Sequence, residues 1–428
     1  MSQPKIAQSL DYQRGPIKWL NKGWRLANKL GLGKISLDAD ELITTARKET
    51  GLQDFGDERI FEPMAVLLQS LEQESDLNPL GRVMNRANIV RLLKHRLYVH
   101  DLLQQHPEIL GRKMPDPVVV VGLARSGTTR LHRLLASDSR FLHLKTWETV
   151  NPVPTPESFK SRDEGTLDPR ISMIDQALKA IDYLNPQVSD VHPLGTHEVE
   201  EEVGLIQHGF SSQVFELQAK VPGFGEWLMT HDQTAAYEYM VVLLKIISWY
   251  RGDPEDKPWV LKTPQHMQDL DALIKVFPRA KLIFSHRDPL KTVGSACSMT
   301  WSAIVRDSDC VDAAWVGQEW FEKTRRMLEK TLRVRETMVP TYNQYDVQYA
   351  DISKNWQTYM QGIYDFLGYS LTDKTKVAMQ DWLERSKQQH KPGAHKYSLE
   401  DFGLDKDSVD RELMFYREKF NIPYETRN

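Results

Sequence analysis

Residues 118–135 read VVVVGLARSGTTRLHRLL, and no other stretch constrains the fold of this chain as tightly. Four valines without polar alternation suit a strand covered on both faces. Leu131, Leu134 and Leu135 then recur at helical spacing. Between strand and helix, Gly122 and Gly127 bound a loop with nearly the G-x-x-x-x-G-K-[ST] spacing of phosphate-binding loops, but Thr128 stands at the lysine position. Such a loop offers backbone amides and a helix N-terminus to an anion. Without the lysine that reaches a terminal phosphate, it calls for a different anionic ligand.

The rest of the chain sets the frame. Its 428 residues are enough for a large core and for two or three domains. A net charge of −4 gives no electrostatic case for nucleic acid. Cys297 and Cys310 are too few for a disulfide framework or a zinc site, which suits a reducing interior. The first fifteen residues lack the apolar core of a signal peptide. The apolar runs 118–124 and 240–249 fall short of the roughly 20 residues that cross a bilayer. The expectation is a soluble, cytoplasmic protein with no transmembrane segment.

Residues 1–114 have helical patterning. Asp38 and Glu41 form a capping-box-like pair, and Gly51 ends that segment. Apolar stripes follow at Ile60, Met64, Leu67, Leu68 and Leu71, and at Ile89, Leu92, Leu93 and Leu97. The third helix also carries Arg86, Arg91, Lys94 and Arg96, expected to form a solvated face. Pro115 and Pro117 mark a boundary. Beyond it, strand-length runs at 118–121, 141–144, 258–261, 281–285 and 345–349 alternate with helical patterns at 129–137, 267–276, 289–301 and 351–367. This alternation predicts an α/β domain over 115–428 with a parallel sheet. A mostly helical insertion at 150–257, with helices near 170–183, 198–207 and 231–249, would shape the acceptor side. Trp147, Trp227, Tyr237 and Trp249 suit either a pocket lining or plain core.

In the loop, the amides of residues 126–129, Ser126 among them, and the hydroxyls of Thr128 and Thr129 are candidate anion donors. Arg125 adds a forked permanent charge. The segment GLARSGTT resembles the 5′-phosphosulfate loop of sulfotransferases that use 3′-phosphoadenosine 5′-phosphosulfate, and its Arg-Ser-Gly-Thr-Thr is similar to tyrosylprotein and bacterial-type members. A second stretch, KLIFSHRDPLKTVGSACSM at 281–299, fits the same family. There Arg287 and Ser295, eight residues apart, match the pair that binds the 3′-phosphate. Trp259–Pro264 is similar to the Lys-Thr-Pro segment of heparan-type members, which implies that Lys262 steadies charge on the leaving phosphate. The basic run His390–Lys396, with Lys391 and Gly393, resembles the late loop that closes over the nucleotide. The resemblance implies a P-loop NTPase-like three-layer α/β sandwich around a central parallel sheet, with an N-terminal all-helical region and a helical insertion.

It also implies sulfuryl transfer by in-line displacement to a hydroxyl or amine on a small-molecule or lipid acceptor, with no metal required. For the base that deprotonates the acceptor, the candidates are Glu148, His197 and Glu201. Two other readings stand beside this one. An atypical P-loop kinase or NTPase would want a loop lysine and carboxylates for Mg²⁺. A non-catalytic nucleotide-binding scaffold would bind the nucleotide and transfer nothing.

Overall fold

A computed structural model describes residues 15–29, 35–184, 195–389 and 397–425. Four parallel strands form the central sheet: β1 (Val118–Val121), β4 (Val260–Lys262), β5 (Lys281–His286) and β6 (Gln344–Gln348), in the order β4-β1-β5-β6. The register places Val119 against Leu261 on one side and Leu282 on the other. Because side chains alternate across a strand, the valines of β1 feed two cores. Val119 and Val121 join Leu261, Leu282 and Phe284 against the helices Thr234–Arg251, Pro289–Asp307 and Ala313–Thr337. Val118 and Val120 join Val260 and Ile283 against Leu131, Leu134 and Leu135 of the helix Thr128–Ala136 and against the helix Trp356–Leu367. This is the expected α/β sandwich, and β1 is apolar throughout because both of its faces are covered.

The second expected strand differs. Leu142 makes only an isolated parallel bridge to Trp259. The chain then pairs β2 (Leu144–Lys145) antiparallel with β3 (Val199–Glu200), outside the central sheet. For the same reason the helix expected at 198–207 starts late, at Val203–Ile206, since its first residues are spent on β3. This short ribbon sets Glu201 and Glu202 immediately beyond a pinned strand.

The N-terminal helices Ala39–Thr50, Phe61–Gln73 and Pro79–Gln105 form as their caps and stripes predict. Asp38 accepts from the Glu41 N–H at 3.0 Å, and Gly51 adopts a left-handed C-cap. Their apolar faces share one core with Phe210, Phe215, Phe224 and Leu228 of the insertion. The Arg-rich face is not solvated throughout. Arg96 is buried, donates to the Asp57 carbonyl at 2.8 Å and stacks 3.7 Å from the Tyr239 ring centroid. Arg91 donates to the Val150 carbonyl, and burial lowers its pKa to about 10. These cations hold the insertion to the helical region. Tyr237 and Trp147 are core residues. Among the described residues no helix is long and apolar enough to cross a membrane.

Candidate active site

Parallel strands bring their carboxyl ends to one edge, where α/β proteins bind ligands. Here that edge gathers the loop after β1, Lys262 at the end of β4, Arg287 after β5 and Tyr349 after β6. The loop is tightly folded. A Cβ on Gly122 would lie 2.9 Å from the Ser285 carbonyl oxygen and 2.8 Å from Ser126 Oγ. Ser285 Oγ donates to the Ser126 carbonyl at 2.6 Å, and Ser126 Oγ donates to the Leu123 carbonyl at 2.7 Å. Ser126 and Thr128 are therefore buried, while Arg125 is exposed. Arg125 and Gly127 both have left-handed backbone, with φ of 67° and 86°. A non-glycine residue held there is strained, and such strain clusters at ligand sites. The helix that begins at Thr128 leaves its first-turn N–H groups without helical partners.

Gly127 also touches Tyr349, since a Cβ would meet the ring at 2.4 Å. Gly127→Ala therefore incurs both the left-handed penalty, about 1–2 kcal/mol, and a clash. The expected result is a lower urea midpoint, partly restored by adding Tyr349→Ala.

Beside the loop, Lys262 is buried and its ammonium donates to Thr129 Oγ1 at 3.1 Å and to the Glu201 carboxylate. Its backbone N–H donates to Glu202 Oε2 at 2.8 Å. The other Glu202 oxygen meets His266 Nε2 at 2.5 Å, and His266 Nδ1 meets the Tyr237 hydroxyl at 2.9 Å. Burial is the largest single influence on Glu202 and opposes its ionisation, but the His266 hydrogen bond, the neighbouring positive charge and the Lys262 N–H together outweigh it and hold the carboxyl below its usual range. His132, on the loop helix, is driven down to about 3 by burial and by the Lys262 ammonium, so it stays neutral. Lys262 is thus fixed at both ends, with its charge aimed at the loop's second threonine.

On the far side of the loop, Arg287 Nη1 donates to the Arg125 carbonyl at 2.6 Å. Its other two nitrogens clamp the Glu425 carboxylate at 2.7 and 2.8 Å, and the guanidinium stacks 4.1 Å from the Tyr349 ring centroid. Ser295 is buried on the helix Pro289–Asp307, next to Gly294, over which Tyr397 packs.

Arg125, Ser126, Gly127, Thr128, Thr129, Lys262 and Arg287 therefore meet at one edge. Lys391 and Gly393 lie outside the described residues. His197 is exposed on the turn before β3. Glu148 is buried and committed elsewhere: Arg251 Nε donates to Oε1 at 2.7 Å, Arg251 Nη2 donates to Oε2, and the Lys145 N–H caps Oε2 at 2.8 Å. The carboxylate at the loop belongs to Glu201. Tyr349 and Glu425 carry no local motif, and only the folded chain brings them to Arg287.

A family model described as the sulfotransferase family matches residues 117–373. Sulfotransferase STF1 from Mycobacterium tuberculosis H37Rv is 30% identical over 89% of this chain and 99% of its own, with a TM-score of 0.76. Sulfotransferase STF9 from Mycobacterium avium is 26% identical over 92% of this chain and 100% of its own, with a TM-score of 0.80. No curated protein matches the sequence.

Proposed function

The chain belongs to the sulfotransferase family, and we propose that it moves a sulfuryl group from 3′-phosphoadenosine 5′-phosphosulfate to a hydroxyl or amine on a small-molecule or lipid acceptor. One observation carries the choice of donor. Arg287 grips a carboxylate with two nitrogens while bonded to the loop by the third. The site therefore has two anion poles, the loop with its helix N-terminus and the Arg287 fork, which suits a nucleotide charged at both its 5′ and 3′ positions. A nucleoside triphosphate concentrates its charge at one end.

In this reading Arg125, Ser126, Gly127, Thr128 and Thr129 hold the 5′-phosphosulfate, and Arg287 with Ser295 holds the 3′-phosphate. The acceptor oxygen or nitrogen attacks sulfur, the bond from sulfur to the 5′-phosphate oxygen breaks, and Lys262 steadies the charge left on that oxygen. Glu201, beside Lys262 and Thr129, takes the acceptor proton. Calorimetry tests the donor. Adenosine 3′,5′-bisphosphate should bind far more tightly than ATP with Mg²⁺, whereas the reverse order would favour a kinase or NTPase. A ³⁵S-labelled donor incubated with cell extract then tests transfer and reports the acceptor class.

Glu425 occupies the fork that this reading gives to a phosphate. Both partners are partly solvated, so their pair contributes little, on the order of 0.2–1 kcal/mol. Glu425→Gln should tighten binding of adenosine 3′,5′-bisphosphate about two- to fivefold by removing the competing anion. Weaker binding in titration would mean that Glu425 holds Arg287 in place instead.

A further inference from the structure

The helix Gly15–Lys29, GPIKWLNKGWRLANK, carries four cations and no acidic residue in a chain whose net charge is −4. At 3.6 residues per turn its side chains sort into three stripes. Ile17 and Asn21 are buried, and Asn21 Oδ1 accepts from the Leu80 N–H at 3.0 Å, so that stripe seats the helix on the protein. Lys18, Lys22 and Arg25 form a second stripe, with Arg25 paired to Asp309 at 2.5 Å. The third stripe is apolar and faces outward: Trp19 is 73% exposed, Leu26 62% and Leu20 50%. Lys22 Nζ lies 5.5 Å from the Trp19 ring centroid, so the cationic and apolar stripes adjoin.

We propose that this helix docks the protein flat on an anionic phospholipid surface, with Trp19, Leu20 and Leu26 entering the headgroup boundary and Lys18 and Lys22 facing lipid phosphates. A bound face, a basic row and an exposed Trp/Leu row on one short helix match the pattern of interfacial anchors. The helix is too short to cross a bilayer, so it lies in the plane. Charge selects the occupant. A second copy meeting this patch by two-fold symmetry would set cations against cations, whereas an anionic bilayer complements the row and takes in the apolar stripe beside it.

The test is flotation of the full chain with phosphatidylcholine vesicles, with and without phosphatidylglycerol. Binding should require the anionic lipid and weaken at high salt. Lys18→Gln with Lys22→Gln should lower partitioning roughly 25-fold, at about fivefold per cation. Trp19→Ser with Leu26→Ser should abolish binding even at low salt. All four positions are exposed, so melting temperatures should match the parent and exclude misfolding as the cause. The proposal is overturned if anionic vesicles fail to float the protein, if neutral vesicles float it equally, if neither pair of substitutions weakens binding, or if the patch proves to drive self-association or capture of an acidic protein without vesicle binding. None of these readouts depends on the donor or on sulfuryl transfer.

Discussion

Lys262→Met is expected to lower kcat by about 10²–10³-fold, the usual loss when one preorganised donor to a developing anion is removed. The donor KM should change far less, because the amides of residues 126–129 and the Arg287 fork remain. The complication is stability. Lys262 is buried and Glu201 is nearly so, and an orphaned buried charge costs up to about 3–5 kcal/mol. A lower kcat could then report unfolding. Lys262→Met with Glu201→Gln separates the two, since it removes both charges. The pair should regain most of the lost melting temperature without regaining turnover. Glu201→Gln alone distinguishes the two roles open to that carboxylate. If Glu201 is the base, turnover falls about 10²–10⁴-fold. If Glu201 only positions Lys262, the loss is smaller.

Why the sequence offers Glu201 only as one of three candidate bases, while it fixes the loop, is a matter of range. The loop is local: four valines, two glycines and a leucine stripe fix strand, turn and helix within eighteen residues, and the helix forms at Thr128–Ala136 against an expected 129–137. Glu148 sits in the right order along the chain, but its meaning depends on Arg251, which is 103 residues away. Glu201 reaches the loop because β3 pairs with β2, and a two-residue antiparallel ladder leaves no periodicity to detect. The Arg-rich face of the helix Pro79–Gln105 misleads for the same reason. Its charges read as solvated until Asp57, Val150 and Tyr239 arrive from elsewhere in the chain. Lys262 enters the sequence reading through the resemblance of Trp259–Pro264 to a Lys-Thr-Pro segment, and in the fold it ends β4 at the carboxyl edge of the parallel sheet, where α/β proteins bind ligands.

Arg287→Ala should weaken binding of adenosine 3′,5′-bisphosphate by about 10–100-fold, since a charge-assisted fork contributes roughly 1.5–3 kcal/mol. The 3′-dephospho analogue should lose little, and that difference is the diagnostic. The guanidinium also donates to the Arg125 carbonyl and stacks on Tyr349, so its removal could loosen the loop itself. Loop damage would weaken both nucleotides equally, and equal weakening would remove the 3′-phosphate from Arg287. Arg287→Lys sharpens the comparison: the charge stays, but a single ammonium cannot grip two oxygens and the Arg125 carbonyl together. It should recover only part of the lost affinity. Combining Arg287→Ala with Glu425→Gln adds a further constraint. Glu425 competes only through Arg287, so Glu425→Gln should tighten bisphosphate binding in the parent and do nothing once the arginine is gone. A gain that persists without Arg287 would show the tail acting through another contact.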